Sequence, residues 1–581
     1  MKRSILRRML SYVGKYWRTL TLCALSAVVS VAAFLLLPVI TGRVIDQIIG
    51  VGAVNFEAIY KLLGYFALAL VTASVFQWLM LVQARRLSAR VAQDVRQDAF
   101  DRIHKAPLGT IDAHPHGDVV SRLITDAETV SDGLLTAISG LLPGAVTVLV
   151  TMILMLLLDV RIAILVILVT PLSTIPARYI ARRARRHFRE QNEIQGDMGA
   201  FVNEMVQNRV QIAAMAYESV SQQAFEEVND RFFKANVRAM FYSSLANPST
   251  RLVNGLIYVT VAVLGALSAI VGVLTVGSLS ALLAYAHQYT RPFNEGAAHL
   301  TQIQAAMASL ERLFAVIDWE EEESDALGAS PLRDVTGKVS LREVSFAYDK
   351  DSPVLQDISI DAPSGARIAI VGPTGSGKTT LINLLMRFYE ADSGEILVDD
   401  IPLQEIQRLA LRRSYGMVLQ DSFIRTGTVR ENIAYGKRSA SLGEVIEAAK
   451  LALAHPFISA LPQGYDTIIT DDDMLSAGQK QLIGIARIFL TKPAMLLLDE
   501  ATSSIDTRTE MLVQASLRRL MVGRTSFIVA HRLGTIREAD AILVMDHGRV
   551  VEHGTHTELL AQGGLYTRLY ESQFENKETN T

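Results

Sequence analysis

The sequence predicts two architectures in series: an N-terminal all-α six-helix transmembrane domain, then a C-terminal α/β P-loop nucleotide-binding domain. Three observations carry this. Half of the 581 residues are hydrophobic, and the long apolar runs fall before about residue 315. The stretch Gly372-Pro373-Thr374-Gly375-Ser376-Gly377-Lys378-Thr379 fits the pattern G-x-x-x-x-G-K-[ST]. Around and after it, short apolar strands alternate with polar helices, as in a soluble α/β domain. A chain this long exceeds one ordinary domain. We divide it into a transmembrane domain at 1–315, a linker at 316–337, a nucleotide-binding domain at 338–575 and a polar tail at 576–581. A net charge of −3 argues against nucleic-acid binding. The single cysteine, Cys23, excludes an internal disulfide framework.

Residues 1–18 alternate Arg and Lys with Leu6, Met9, Leu10, Tyr12 and Tyr16, which predicts an amphipathic helix on the membrane surface. The first apolar run behind it is long and is followed by others, so it reads as a retained anchor rather than a cleaved signal. Six segments approach the ~20 residues that cross a bilayer, at roughly 19–41, 59–82, 136–157, 161–180, 251–275 and 278–300, the fourth interrupted by Pro171 and Pro176. The stretches 83–135 and 181–243 are rich in arginine, including Arg85, Arg86, Arg90, Arg182 and Arg183. The positive-inside rule therefore places both termini and both of these stretches in the cytoplasm of a multi-pass protein of the cell (inner or plasma) membrane. We read both as helical extensions of the spans. Within the sixth segment His287, Arg291 and Glu295 recur every four residues and share a helix face. Ionisable groups at membrane depth line a wet cavity or pair with a neighbour. Contact with cargo and a salt bridge between helices are both open readings. The acidic run Glu320-Glu321-Glu322-Glu323 reads as a solvated linker.

Arg367–Val371 reads as a buried strand running into the Gly-rich stretch, and the residues after it as a helix. Strand, glycine turn and helix N-terminus make an anion site. Lys378 would reach β and γ phosphates, and the Thr379 hydroxyl would ligate Mg²⁺. Downstream, Ala494-Met495-Leu496-Leu497-Leu498-Asp499-Glu500 is a buried strand ending in two acids. The first suits Mg²⁺, and the second suits orienting or deprotonating the attacking water.

Between these lies Leu475-Ser476-Ala477-Gly478-Gln479. The order of P-loop, this pentapeptide and Asp-Glu resembles the ATP-binding cassette family, whose signature is usually LSGGQ; Ala477 stands at the first glycine of the pair. One membrane domain fused ahead of one cassette resembles an exporter-type half-transporter of the bacterial multidrug and lipid kind. The resemblance implies ATP and Mg²⁺ as cofactors. It implies Glu500 and His531 as catalytic residues, and Thr379, Gln420 and Asp499 at the metal. Tyr348 would stack on adenine, with Thr380 beside the P-loop. Ser476, Ala477, Gly478 and Gln479 would meet ATP held by the other subunit, and Asp506 would close the loop that communicates across the dimer. His114-Pro115-His116-Gly117-Asp118, with Ser121, Arg122 and Asp126, resembles the first cytoplasmic loop that reaches the cassette, and Asn208–Gln211 with Tyr217-Glu218 the second.

The family usually carries a Gly-Glu-containing stretch before the signature, where this chain has Asp471-Asp472-Asp473. Intact Walker motifs with an altered signature resemble the catalytically competent half of heterodimeric members. The implied partner is a second half-transporter, a different chain being favoured over a second copy. The implied function is ATP-driven export of an amphipathic or hydrophobic substrate such as a drug, lipid or peptide. Import of a small chelate such as a metal–siderophore is the alternative.

Overall fold

The computed structural model describes residues 2–48, 54–170, 174–326, 328–349, 352–419, 422–470, 474–499, 506–529 and 536–572. The chain forms two compact units. The first comprises Met1–Lys105 and His114–Trp319, and the second Ala106–Ala113 and Glu320–Thr581.

The first unit is helical. Its elements are α1 (Lys2–Gly14), α2 (Trp17–Asp46) and α3 (Phe56–Lys105). After α4 (Leu108–Asp112), which belongs to the second unit, come α5 (His116–Leu158), α6 (Val160–Val169) and α7 (Thr174–Gln207). Then follow α8 (Arg209–Ala214), α9 (Glu218–Ser244), α10 (Ala246–Ile270) and α11 (Val276–Ile317). The 50 residues of α3 make a rod of about 75 Å at 1.5 Å per residue, far longer than a hydrocarbon core of about 30 Å. Its polar half therefore continues into water as helix. Among the described residues, Trp17–Asp46, Phe56–Lys105, His116–Leu158 and Arg251–Ile270 are long and apolar enough to cross a membrane. The fourth predicted segment is divided by residues 171–173, which lie outside the described residues. Its apolar part is α6, capped by Asp159, whose side chain accepts from the Arg161 and Ile162 amides at 2.9 and 3.1 Å. The sixth lies inside α11, where His287, Gln288, Arg291, Asn294 and Glu295 dilute the apolar content.

Small residues and one polar latch set the helix packing. Gly42 of α2 and Gly277 of α11 meet backbone to backbone, each leaving no room for a Cβ on the other. Asp46 seals that crossing, accepting from the Gly277 amide and the Thr275 hydroxyl at 2.8 Å each. Along α5, Gly133 faces Ala306, Gly140 faces His299 and Gly144 faces Pro292, all on α11. The same seam ends in Asp126, which is buried and accepts from Ser309 (2.8 Å) and the Arg312 guanidinium (2.7 Å). Asp126 closes a single π-helical turn, Arg122–Asp126. In α1, Leu6 and Leu10 stay exposed, as a surface helix requires. Tyr12 and Tyr16 do not join them: their hydroxyls donate to Asp98 and Asp94 of α3, tying α1 to the bundle.

Among its described residues the second unit carries twelve strands: β1 (Val339–Asp349), β2 (Ser352–Ala362), β3 (Arg367–Val371), β4 (Ser393–Val398), β5 (Ile401–Pro402), β6 (Tyr415–Val418), β7 (Gly427–Thr428), β8 (Ile468–Ile469), β9 (Met495–Asp499), β10 (Thr525–Val529), β11 (Ala541–Asp546) and β12 (Arg549–Gly554). A six-stranded sheet runs β12-β11-β3-β10-β9-β6, parallel except for β12. Its inner strands read as near-continuous apolar runs because helices cover both faces. A four-stranded antiparallel sheet, β2-β1-β4-β5, lies beside it, and β7 and β8 form a short ladder. Three helices matter for the site: α12 (Lys378–Leu385), α13 (Ala477–Thr491) and α14 (Thr507–Met521). The acidic run predicted to be solvated is instead engaged: Glu322 accepts from Arg412 at 2.6 Å, and Asp325 accepts from the Arg408 amide at 3.1 Å. Arg408 is itself buried, so neighbouring carboxylates compensate its charge.

Asp126→Ala would strand both Ser309 and Arg312, at a cost of roughly 2 kcal/mol. We expect a lower apparent Tm for the purified protein, with Asp118→Ala, whose partner Arg122 sits one turn along the same helix, close to the parent. Equal melting of all three would show that the latch contributes nothing.

Candidate active site

β3 delivers the chain to residues 372–377, and Gly375 and Gly377 adopt φ of +84° and +98°. Those angles close the loop over the N-terminus of α12 and are strained for any side chain. Lys378 opens α12 and is buried; its Nζ donates to the carbonyls of Gly372 and Pro373 at 2.9 Å each. Burial pushes its pKa below the usual lysine range, and the Asp499 carboxylate works in the opposite direction. The Ser376 hydroxyl is buried without a hydrogen-bond partner. Thr379 lies exposed in the first turn, and Pro373 and Thr374 are exposed on the loop. A cradle of backbone amides with a desolvated ammonium and an unsatisfied hydroxyl suits a polyphosphate.

Sheet register brings the other groups to the same edge. Val529 of β10 pairs with Asp499 on one side and Ile370 on the other. Asp499 is therefore level with the end of β3, at the carboxyl edge where ligands bind in open α/β sheets. Glu500, Gln420 and His531 lie outside the described residues, as do Asp471, Asp472 and Asp473.

Tyr348 of β1 is half exposed beside the loop. Its hydroxyl donates to Thr380 Oγ1 at 3.2 Å and accepts from Asn383 at 3.4 Å. Thr380 is thereby committed to holding Tyr348. The ring sits edge-on to Phe346 (4.9 Å) and Tyr389 (5.0 Å).

The signature residues form a helix cap. Ser476 Oγ accepts from the Gln479 amide at 3.3 Å, and Gln479 Oε1 accepts from the Ser476 amide at 3.0 Å, a capping box at the start of α13. Ala477 is the first helical residue and is exposed, while Gly478 is buried. Asp506 caps α14 through the Thr509 amide at 3.0 Å, a hydrogen bond that holds its carboxyl below the usual range.

Two features escaped the sequence. Arg487 of α13 donates to the carbonyl (2.6 Å) and side chain (2.9 Å) of Asn432 and to the Phe423 carbonyl, fixing the segment after Gln420 to the signature helix. The loop counted with the cassette is Ala106–Ala113, upstream of the predicted His114–Asp126. From His116 the chain is already in α5, and His114 meets Trp319 at a tilt with ring centroids 4.9 Å apart within the first unit. On α11, Arg291 pairs with Glu295 at 2.8 Å within one helix, both well exposed, and among the described residues of this chain neither bridges to another helix.

A helical membrane domain joined to a cassette with a P-loop, a level aspartate and a capped signature helix defines an ATP-hydrolysing transport subunit. The chain belongs to the ABC transporter family, on the exporter side. Residues 20–293 match the ABC transporter transmembrane region and residues 355–503 the ABC transporter cassette. It is 40% identical over 520 residues to the fatty acid ABC transporter ATP-binding/permease protein of Mycobacterium tuberculosis (89% of this chain, 82% of that one). It is 34% identical over 575 residues to a putative multidrug export ATP-binding/permease protein of Bacillus subtilis (98% and 99%). Among solved structures it matches a bacterial Atm1-family ABC exporter with ATP bound, with TM-score 0.77 and 29% identity over 96% of this chain and 98% of that one. These relatives lend no support to the import alternative.

Lys378→Ala removes the ammonium from the cradle. We expect ATP affinity, titrated with a fluorescent analogue, to fall at least about tenfold, as for loss of a charge-assisted contact. Unchanged affinity with slower turnover would place Lys378 in chemistry alone.

Proposed function

We propose that this subunit uses ATP hydrolysis to export a long-chain amphiphile with an anionic headgroup, such as a fatty acid. The observation that carries this is the exposed polar face of α11, where His287 and the Arg291–Glu295 pair lie among apolar residues. Apolar helix surface beside an exposed guanidinium suits an alkyl chain ending in a carboxylate. The mycobacterial relative named as a fatty acid transporter supports the reading, and the multidrug relatives fit a broader amphiphile class.

In this reading the amides of 374–378 and Lys378 hold the β and γ phosphates, and Tyr348 stacks on the base. Thr379, Asp499 and Gln420 hold Mg²⁺, which when bound offsets charge on the transferred phosphate. Glu500 orients or deprotonates the water, and His531 contacts the γ-phosphate. ABC half-transporters dimerise, and the signature cap with Ala477 faces ATP bound to the partner. We infer a heterodimer with both termini cytoplasmic, in which this chain's Walker motifs form the faster site.

In proteoliposomes, oleate should stimulate the ATPase. Arg291→Gln should raise the half-stimulating oleate concentration about fivefold, the loss of one exposed charge-assisted contact. Glu500→Gln should cut turnover 10²–10⁴-fold, the usual worth of a general base. Stimulation indifferent to Arg291 would sink the headgroup assignment.

Expressed alone, the chain should be nearly inactive and should gain turnover on co-expression with a second half-transporter. A homodimer hydrolysing ATP equally at two sites would refute the asymmetric pairing.

A further inference from the structure

We propose that Tyr389 is a positioning residue that couples the base of the bound nucleotide to the loop Ala106–Ala113. The proposal rests on the reading of Tyr348 as the base platform. It adds a direct link from that platform to the segment of the membrane chain that belongs to the cassette's unit.

Tyr389 touches both partners through different parts of one side chain. Its hydroxyl donates to Asp112 Oδ2 at 2.8 Å, at the end of α4. Its ring edge fills the space over Gly109 so closely that a Cβ there would sit 2.9 Å from Cε1. The ring also meets Tyr348 edge-to-face at 5.0 Å and 88°, and Phe346 at 5.6 Å. Tyr348 in turn is held by Thr380, the second residue after Lys378. Asp112, Tyr389, Tyr348 and Thr380 thus form a continuous path of contacts from the loop to the P-loop helix.

The path is stiff at its centre. Arg387, two residues before Tyr389, takes φ +51° in the left-handed region. Its buried guanidinium donates to Glu390 (2.8 Å) and to the carbonyls of Leu403 (2.9 Å) and Ile406 (3.1 Å). Arg408 reaches the same Glu390 oxygen at 2.9 Å. The backbone on both sides of Tyr389 is therefore pinned, and a shift of Tyr348 is passed on rather than absorbed. Burial, reinforced by the hydrogen bond to Asp112, pushes the Tyr389 phenol well above its ordinary range, so it remains a donor at physiological pH.

A base platform tilted by a docked nucleotide must displace either Tyr389 or the base. Because Tyr389 is braced on Asp112, seating the base and seating α4 share one coupling free energy, which acts equally in both directions; a brace that holds the platform in place for the base makes that coupling favourable.

The test uses full-length protein in nanodiscs, co-expressed with its partner half if it needs one. Tyr389→Phe keeps the ring and deletes the donor; Asp112→Ala deletes the acceptor. Each should raise the KM for ATP about three- to tenfold, as loss of one net hydrogen bond does, with kcat at saturating ATP within about twofold. The double variant should match either single one, because both break the same contact. The affinity for tripolyphosphate, which has no base, should not change. Tyr389→Phe and Asp112→Ala with parental KM, additive effects in the double variant, or a parallel loss of tripolyphosphate affinity would each overturn the proposal. Tyr348→Ala separates the two readings. If it leaves ATP affinity unchanged, the base-platform assignment fails and the coupling fails with it. If it weakens ATP while Tyr389→Phe does not, only the coupling fails.

Discussion

The cation at Lys378 is the constraint around which the cassette is arranged. Burial works against its charge, and two backbone carbonyls and the nearby Asp499 supply the compensation. Keeping an ammonium there requires three things at once. The strand before it must be buried, so that the loop is held; β3 is apolar and buried from Ile368 to Val371 and sits between β10 and β11. The loop must turn through left-handed angles, which Gly375 and Gly377 permit. The aspartate must arrive level with the loop, which the parallel register of β9, β10 and β3 achieves. The sheet order is thus a way of placing one carboxylate and one ammonium at a single edge, with α12 directing its free amides between them.

Much of this was legible in the sequence because it is local. A P-loop is eight consecutive residues, and its strand and helix flank it. The Walker B strand and the signature are likewise contiguous, and S-x-x-Q at Ser476–Gln479 spells a capping box that the structure forms. What could not be read depends on residues far apart in the chain. Tyr389 and Asp112 are separated by 277 positions, and neither carries a motif. The Glu322–Arg412 pair spans 90 positions, so an acidic run looked solvated although its partners lay on the cassette. Tyr12 and Tyr16 looked lipid-facing by periodicity, yet Asp98 and Asp94 on a neighbouring helix claim their hydroxyls. The cassette-reaching loop was placed a few residues late because the His114–Asp126 stretch carries the conspicuous polar residues, while the chain reversal lies at Ala106–Ala113.

The membrane unit solves a different problem. Lipid removes the hydrophobic drive between helices, so close approach must come from small residues and hydrogen bonds. The α5–α11 seam uses both: Gly133, Gly140 and Gly144 let α11 approach, and Asp126 with Arg312 and Ser309 fixes its register where the helices have left the apolar band. The Gly42–Gly277 crossing repeats the pattern at the other end of α11, with Asp46 as the lock. Because α11 is held at both ends, its central face with His287, Arg291 and Glu295 need not serve packing. That is consistent with the Arg291–Glu295 pair closing within the helix instead of reaching a neighbour.

The departure at Ala477 can now be assigned to one side of the interaction. Alanine is the best helix former and glycine costs about 1 kcal/mol more in a helix, so at the first position of α13 the substitution favours this chain's own fold. The capping box of Ser476 and Gln479 is intact around it, and the methyl group points to an exposed surface rather than into the core. No internal strain therefore opposes Ala477. Any cost falls on a group that approaches the helix N-terminus from outside, which in the proposed dimer is a phosphate of the nucleotide. A residue compatible with its own helix cap thus leaves the stability of this chain separate from any contact that the proposed dimer makes there.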